Sequence, residues 1–121
     1  MRPSLALSIG AVAAAAFGLA LLLAPAQLLA GFGLGTAVEG QVLSRDLGVT
    51  LIAIAIVNWL ARDATGPAVR AILIGNLFLQ LAELVVNGYE MAVAILPMQA
   101  AGGLVIHLAL AIVFWLGLRR A

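Results

Sequence analysis

The chain has 121 residues, 65% of them hydrophobic and only 9% charged, with a mean hydropathy of +1.23 and a net charge of +1. Soluble domains carry roughly 25% charged residues, so the composition predicts an all-α integral membrane protein forming one bundle, without a separate soluble domain. With no cysteine there is no disulfide exchange, thiolate nucleophile or Cys-ligated metal, and with no lysine there is no Schiff base or P-loop lysine.

Other exclusions follow from single residue types. One histidine, His107, rules out a protein-only multi-histidine metal site within one copy, and no cofactor is indicated. The arginines are scattered rather than gathered into a patch, which argues against a nucleic-acid partner. Aromatic residues make up 6% of the chain, too few for a wide aromatic cage around a cation or a stacked base.

Four transmembrane helices are predicted, covering about residues 4–24, 37–61, 67–87 and 98–118. The first is stopped by Pro25, and its Gly10, Ala14 and Gly18 have the four-residue spacing of close helix packing. Arg2, the apolar run and Ala24-Pro25-Ala26 also have the outline of a signal peptide. The run is nearer ~20 residues than the ~7–15 of a signal core, which favours a retained span. A glycine-rich linker, GFGLGT, lacks the spacing of a phosphate-binding loop. Thr36 and Glu39 then stand at capping-box spacing ahead of a proline-free stretch to Ala61, long enough at roughly 37 Å to cross a bilayer with tilt.

Asn58 and Trp59 near the end of that helix read as interfacial anchors, as does Trp115. The polar turn Arg62–Pro67 offers Thr65 and Pro67 as helix-start residues, and Gly88 reads as the C-terminal cap of the third span. Tyr89–Pro97 is apolar but short, so it reads as an interfacial or partly re-entrant turn. The last span ends in Arg119-Arg120. Arg2, Arg62, Arg70, Arg119 and Arg120 fall on one side of this topology and Arg45 on the other, which places both termini in the cytoplasm.

The third span carries the functional signal. Asn76, Gln80, Glu83, Asn87 and Glu90 recur at spacings of four, three, four and three, so all five fall within an arc of about 80°. A polar stripe in a membrane helix must face protein, water or ligand, because hydrocarbon satisfies none of its hydrogen bonds. With both termini inside, His107 descends to the depth of Gln80 and Glu83, and Arg45, Asp46 and Thr50 lie in the outer half of the second helix. The product is an outward-facing polar cavity. Glu83 and His107 are its proton-exchange or catalytic candidates; Asn76, Gln80 and Asn87 orient a ligand; Arg45, Asp46 and Thr50 balance charge or complete the lining.

The proline-stopped first helix, the segment SRDLGVTLIAIAIVNWLAR and the polar-striped third helix resemble small four-helix bacterial membrane proteins of the DoxX-like superfamily. The shared local motif is Arg45-Asp46-x-Gly48. The resemblance implies a four-helix membrane fold; no residue here matches the redox chemistry associated with that group. Alanine- and arginine-rich, lysine-free usage points to a high-GC bacterium and hence to its cytoplasmic membrane. Three functions fit the stripe: a cavity binding a small or amphipathic ligand, as in a proton-linked transporter component; an acid–base isomerase or cyclase acting on a lipophilic substrate; and an accessory or scaffold subunit whose stripe is a helix–helix seam. Membrane lipids are the expected surroundings, and a homo-oligomer or larger membrane complex the expected assembly.

Overall fold

A computed structural model describes all 121 residues as an all-α chain. Its helices are α1 (Pro3–Leu23), α2 (Pro25–Gly31), α3 (Val38–Ala61), α4 (Pro67–Ala92) and α5 (Ala101–Leu118), the last entered through one 3₁₀ turn (Met98–Ala100). Four segments (α1, α3, α4, and the 3₁₀ turn with α5) are long and apolar enough to cross a membrane. By that criterion the protein is multi-pass.

The bundle is two antiparallel pairs. α3 packs along α1 and α4 packs along α5, and the pairs meet mainly where α1 touches α5. α3 and α4 are consecutive in the chain, yet they do not pack along one another. The α1–α3 crossing is a reciprocal glycine contact. A Cβ on Gly18 would lie 2.8 Å from the Gly48 carbonyl oxygen, and one on Gly48 would lie 2.7 Å from the Gly18 oxygen. Of the small residues in α1, Gly18 therefore lets the backbones touch, while Gly10 makes room for the Phe114 ring and the Asn58 amide. Within Arg45-Asp46-x-Gly48, the residue with a packing role is Gly48.

Both termini and the α3–α4 turn lie at one end of the bundle, where Arg2, Arg62 and Arg120 border a common hollow. This terminal end also holds the core: Ala6, Leu7, Val69, Leu73 and Phe114 are 0–2% exposed. Trp59 and Trp115 face outward there, each with an arginine over its ring, Arg62 at 4.1 Å and Arg119 at 4.9 Å. Arg62 also pairs with Asp63 at 3.5 Å.

Several boundaries depart from the sequence reading. Pro25 ends α1 as expected, because it disfavours helical backbone at Ala24 (φ −139°, ψ 54°), but it also opens α2, a two-turn helix the sequence had not revealed. No capping box forms at α3. Its N-cap is Ala37, without a side-chain bond, and the Thr36 carbonyl instead accepts from Gln41 Nε2 at 2.8 Å. α4 starts at Pro67 as expected, with Gly66 rather than Thr65 as its cap; Gly66 has φ +78°, a conformation that suits glycine. Gly88 is not a cap but lies inside α4, which runs on through Tyr89 to Ala92. The turn after it uses Ala94 at φ 60°, and the Glu90 carbonyl accepts from both Ile95 N and Leu96 N. The proposed re-entrant stretch is therefore one further turn of α4 and a short connection.

Candidate functional site

Above the core the two helix pairs part, and a cavity of about 280 Å³ occupies the space between all four long helices. Asn76 and Phe114 lie at its floor. Its walls take Gly10, Ala14 and Phe17 from α1, Leu47, Thr50 and Ile54 from α3, and Gln80, Glu83 and His107 from α4 and α5. Leu28 of α2 and Phe32, just after it, cover the far end. The Gln99 amide ties that cover to the 3₁₀ turn, donating to the Gly31 carbonyl at 3.0 Å and towards Ala30 O at 3.4 Å. Leu47 and Thr50 line the cavity and are exposed as well. α3 and α4 meet at the Asn58–Asn76 pair and not along their length, so beyond that pair the cavity opens sideways at Leu47 and Thr50.

Asn76, Gln80 and Glu83 of the predicted stripe line the cavity, and their roles divide by depth. Asn76 is spent on structure. Its amide exchanges two hydrogen bonds with Asn58, at 3.0 and 2.8 Å, and also donates to Ile72 O at 2.9 Å. Asn58 is 1% exposed, so it is a buried partner in a helix seam and not the interfacial anchor its position implied. One turn further out, His107 Nδ1–H donates to Gln80 Oε1 at 2.7 Å. That bond makes Nε2 the acceptor of the neutral ring. Gln80 is 7% exposed and uses only its oxygen, so its amide donors remain for the cavity.

Next comes Glu83, half-buried, whose Oε2 accepts from Asn87 Nδ2 at 3.1 Å. Asn87 is outside the cavity lining and acts on it through this bond. Glu90 lies a turn beyond.

Arg45 and Asp46 do not join this group. Both are exposed and neither lines the cavity. The reason is helical phase: Ser44, Gly48, Ala55 and Asn58 form the buried face of α3, while Leu47, Thr50 and Ile54 reach the cavity. Arg45 is nine residues from Ile54, which at 100° per residue turns it to the opposite side of the helix. It cannot neutralise Glu83. Thr50 does reach the cavity, with its hydroxyl donating to Asp46 O at 3.1 Å.

The structure also brings to the cavity residues the sequence had not marked, Leu28 and three of the chain's four phenylalanines, Phe17, Phe32 and Phe114, and it turns Asn58 from an anchor into the partner of Asn76. The chain matches no known protein family, no curated protein and no solved structure.

Proposed function

We propose that the protein is a ligand-binding component of the bacterial cytoplasmic membrane, with both termini cytoplasmic and the cavity in the outer half. The observation that carries the reading is one cavity holding a carboxyl group, an imidazole and a free amide against otherwise apolar walls, the usual make-up of a small-molecule site. Orientation is supported by the arginines: Arg2, Arg62, Arg119 and Arg120 lie at the terminal end and Arg70 within one turn of it, leaving only Arg45 in the other half. Glu83 serves proton exchange or ligand hydrogen bonding, Gln80 and His107 orient the ligand, and the module works alone, as an oligomer or within a transporter. The likeness to DoxX-like proteins adds the four-helix architecture to this reading and no chemistry.

Glu83→Gln keeps an acceptor for Asn87 while removing the carboxylate. Native mass spectrometry of the purified protein should show a co-purifying small molecule with wild type and its loss with Glu83→Gln, while circular dichroism is unchanged. Equal occupancy of the two proteins would remove Glu83 from the site.

A second reading has one observation in its favour. Glu83 and His107 line the same cavity, as acid–base catalysis of an isomerisation or cyclisation requires. The accessory-subunit reading draws support from the Asn58–Asn76 seam, but a stripe that served only as a seam would leave no cavity beside Gln80 and Glu83.

A further inference from the structure

We infer that the ligand is a lipophilic amine, with its ammonium group held at Glu83 and its apolar body lying against α1 and α3. This rests on the cavity reading above and adds the chemical class of the occupant. Charge comes first. Glu83 is the only acid lining the cavity, no arginine lines it, and the one ion pair of the fold, Arg62–Asp63, is at the other end. The one basic group beside Glu83 is His107, whose Nδ1 proton is committed to Gln80, so the cavity holds no permanently charged cation of its own for the carboxyl group.

The hydrogen-bond inventory points the same way. Asn87 occupies Oε2 of Glu83 and leaves Oε1 as an acceptor. His107 has given its Nδ1 proton to Gln80 and keeps an acceptor at Nε2; Thr50 has given its hydroxyl proton to Asp46 O and keeps its lone pairs. Only the Gln80 amide donates. Three acceptors, one of them a carboxyl group, suit a head group rich in N–H donors and match a carboxylate or phosphate poorly.

Phe17, Phe32 and Phe114 line the cavity from α1, the segment after α2, and α5, with Phe114 at its floor and Phe32 at its far end, and extend the apolar wall for the body of the ligand. The sideways opening between α3 and α4 at Leu47 and Thr50 gives an amphiphile access from the bilayer, and a volume of about 280 Å³ restricts it to a small one. Amine, alcohol and fatty acid share an apolar body, so the head group is what the site selects.

The test uses octylammonium, octanol and octanoate, titrated calorimetrically into the protein in lipid nanodiscs with empty nanodiscs as the blank. Two variants are compared: Glu83→Gln, and Ala14→Phe, which fills the cavity from α1. Circular dichroism and size-exclusion profiles report folding of each. The expected result is octylammonium binding that weakens at least about tenfold in Glu83→Gln, a loss of about 1.4 kcal/mol, with octanol binding unaffected by that change and both ligands excluded by Ala14→Phe. Equal affinity for the three head groups, or preference for octanoate, with Ala14→Phe still excluding them, overturns the amine assignment and leaves the cavity reading intact. Absence of binding by all three, or binding indifferent to Ala14→Phe, overturns both. Should Ala14→Phe fail to fold, octanol competing with octylammonium for wild type decides the same point, since only a shared cavity makes them exclude each other.

Discussion

At the terminal end of the bundle, Leu7, Leu73 and Phe114 are at most 1% exposed, and the Asn58 and Asn76 side chains satisfy one another. One turn along α4, Gln80 meets His107 with half its hydrogen-bonding capacity, and a turn beyond that Glu83 is held only by a residue of its own helix. The same stripe on the same helix thus closes the bundle at one depth and lines a cavity at the next. What differs is the opposing helix. Asn58 on α3 meets Asn76 where the pairs converge, whereas further out α3 offers Thr50 and Leu47 across an opening. A polar stripe is therefore not in itself a seam or a site; the spacing of the facing helix decides. That makes the contrast between the two ends something experiments can break.

The largest effect is expected at the glycine crossing that holds α3 against α1. Gly48→Leu places side-chain atoms where even a Cβ would be 2.7 Å from the Gly18 oxygen and 2.9 Å from Leu22 N, both backbone atoms that cannot rotate away. Overpacking costs about 1–3 kcal/mol, and rigid backbone on both sides puts this change at about 3 kcal/mol. Reversible unfolding in mixed micelles should show it, and Gly18→Leu should match it; a change under about 0.5 kcal/mol would mean the two helices are not in contact there.

Next in size is the closed end alone. Asn58→Leu leaves the Asn76 amide with only the Ile72 carbonyl, at a cost of about 1–2 kcal/mol, since hydrogen bonds between membrane helices are worth roughly 0.6–1.7 kcal/mol. The double variant Asn58→Leu/Asn76→Leu should recover most of that loss, because no unpaired amide remains, and a double-mutant cycle isolates the coupling. Additive losses would show that the two residues act separately.

Much of this was legible in the sequence, for physical reasons that differ by residue. Five polar side chains within ~80° of an apolar helix stand out against their background, so the stripe and its meeting with His107 could be anticipated. Asn58 could not be read in the same way. A lone asparagine near a helix end looks alike whether it faces lipid head groups or a partner 18 residues away in the chain. α2 was hidden by its length, since seven residues give no periodicity to detect. Arg45 was misplaced because charge alone suggested a partner for Glu83, when the phase of α3, visible only once its face towards α1 is known, turns it away.

The open end is expected to respond locally and more weakly. Gln99→Ala removes the tie from the 3₁₀ turn to the Gly31 carbonyl, an exposed bond worth about 0.5–1 kcal/mol. Hydrogen exchange should speed up in residues 25–34 while α1 and α5 near Phe114 keep their protection. Loss of protection at both ends together would mean that the cover and the core unfold as one unit.

The smallest effect has the opposite sign, and it tests whether α4 continues past the stripe. Gly88 lies inside α4, and a Cβ there would meet nothing within 4 Å. Alanine should therefore stabilise the helix by about 0.5–1 kcal/mol, through the backbone entropy glycine loses on folding. If Gly88 were instead a left-handed cap, alanine would be strained and the sign would reverse. The sign of Gly88→Ala in the same unfolding assay thus reports whether Glu90 is carried on the rigid helix that positions Glu83 or on a loose connection beyond it.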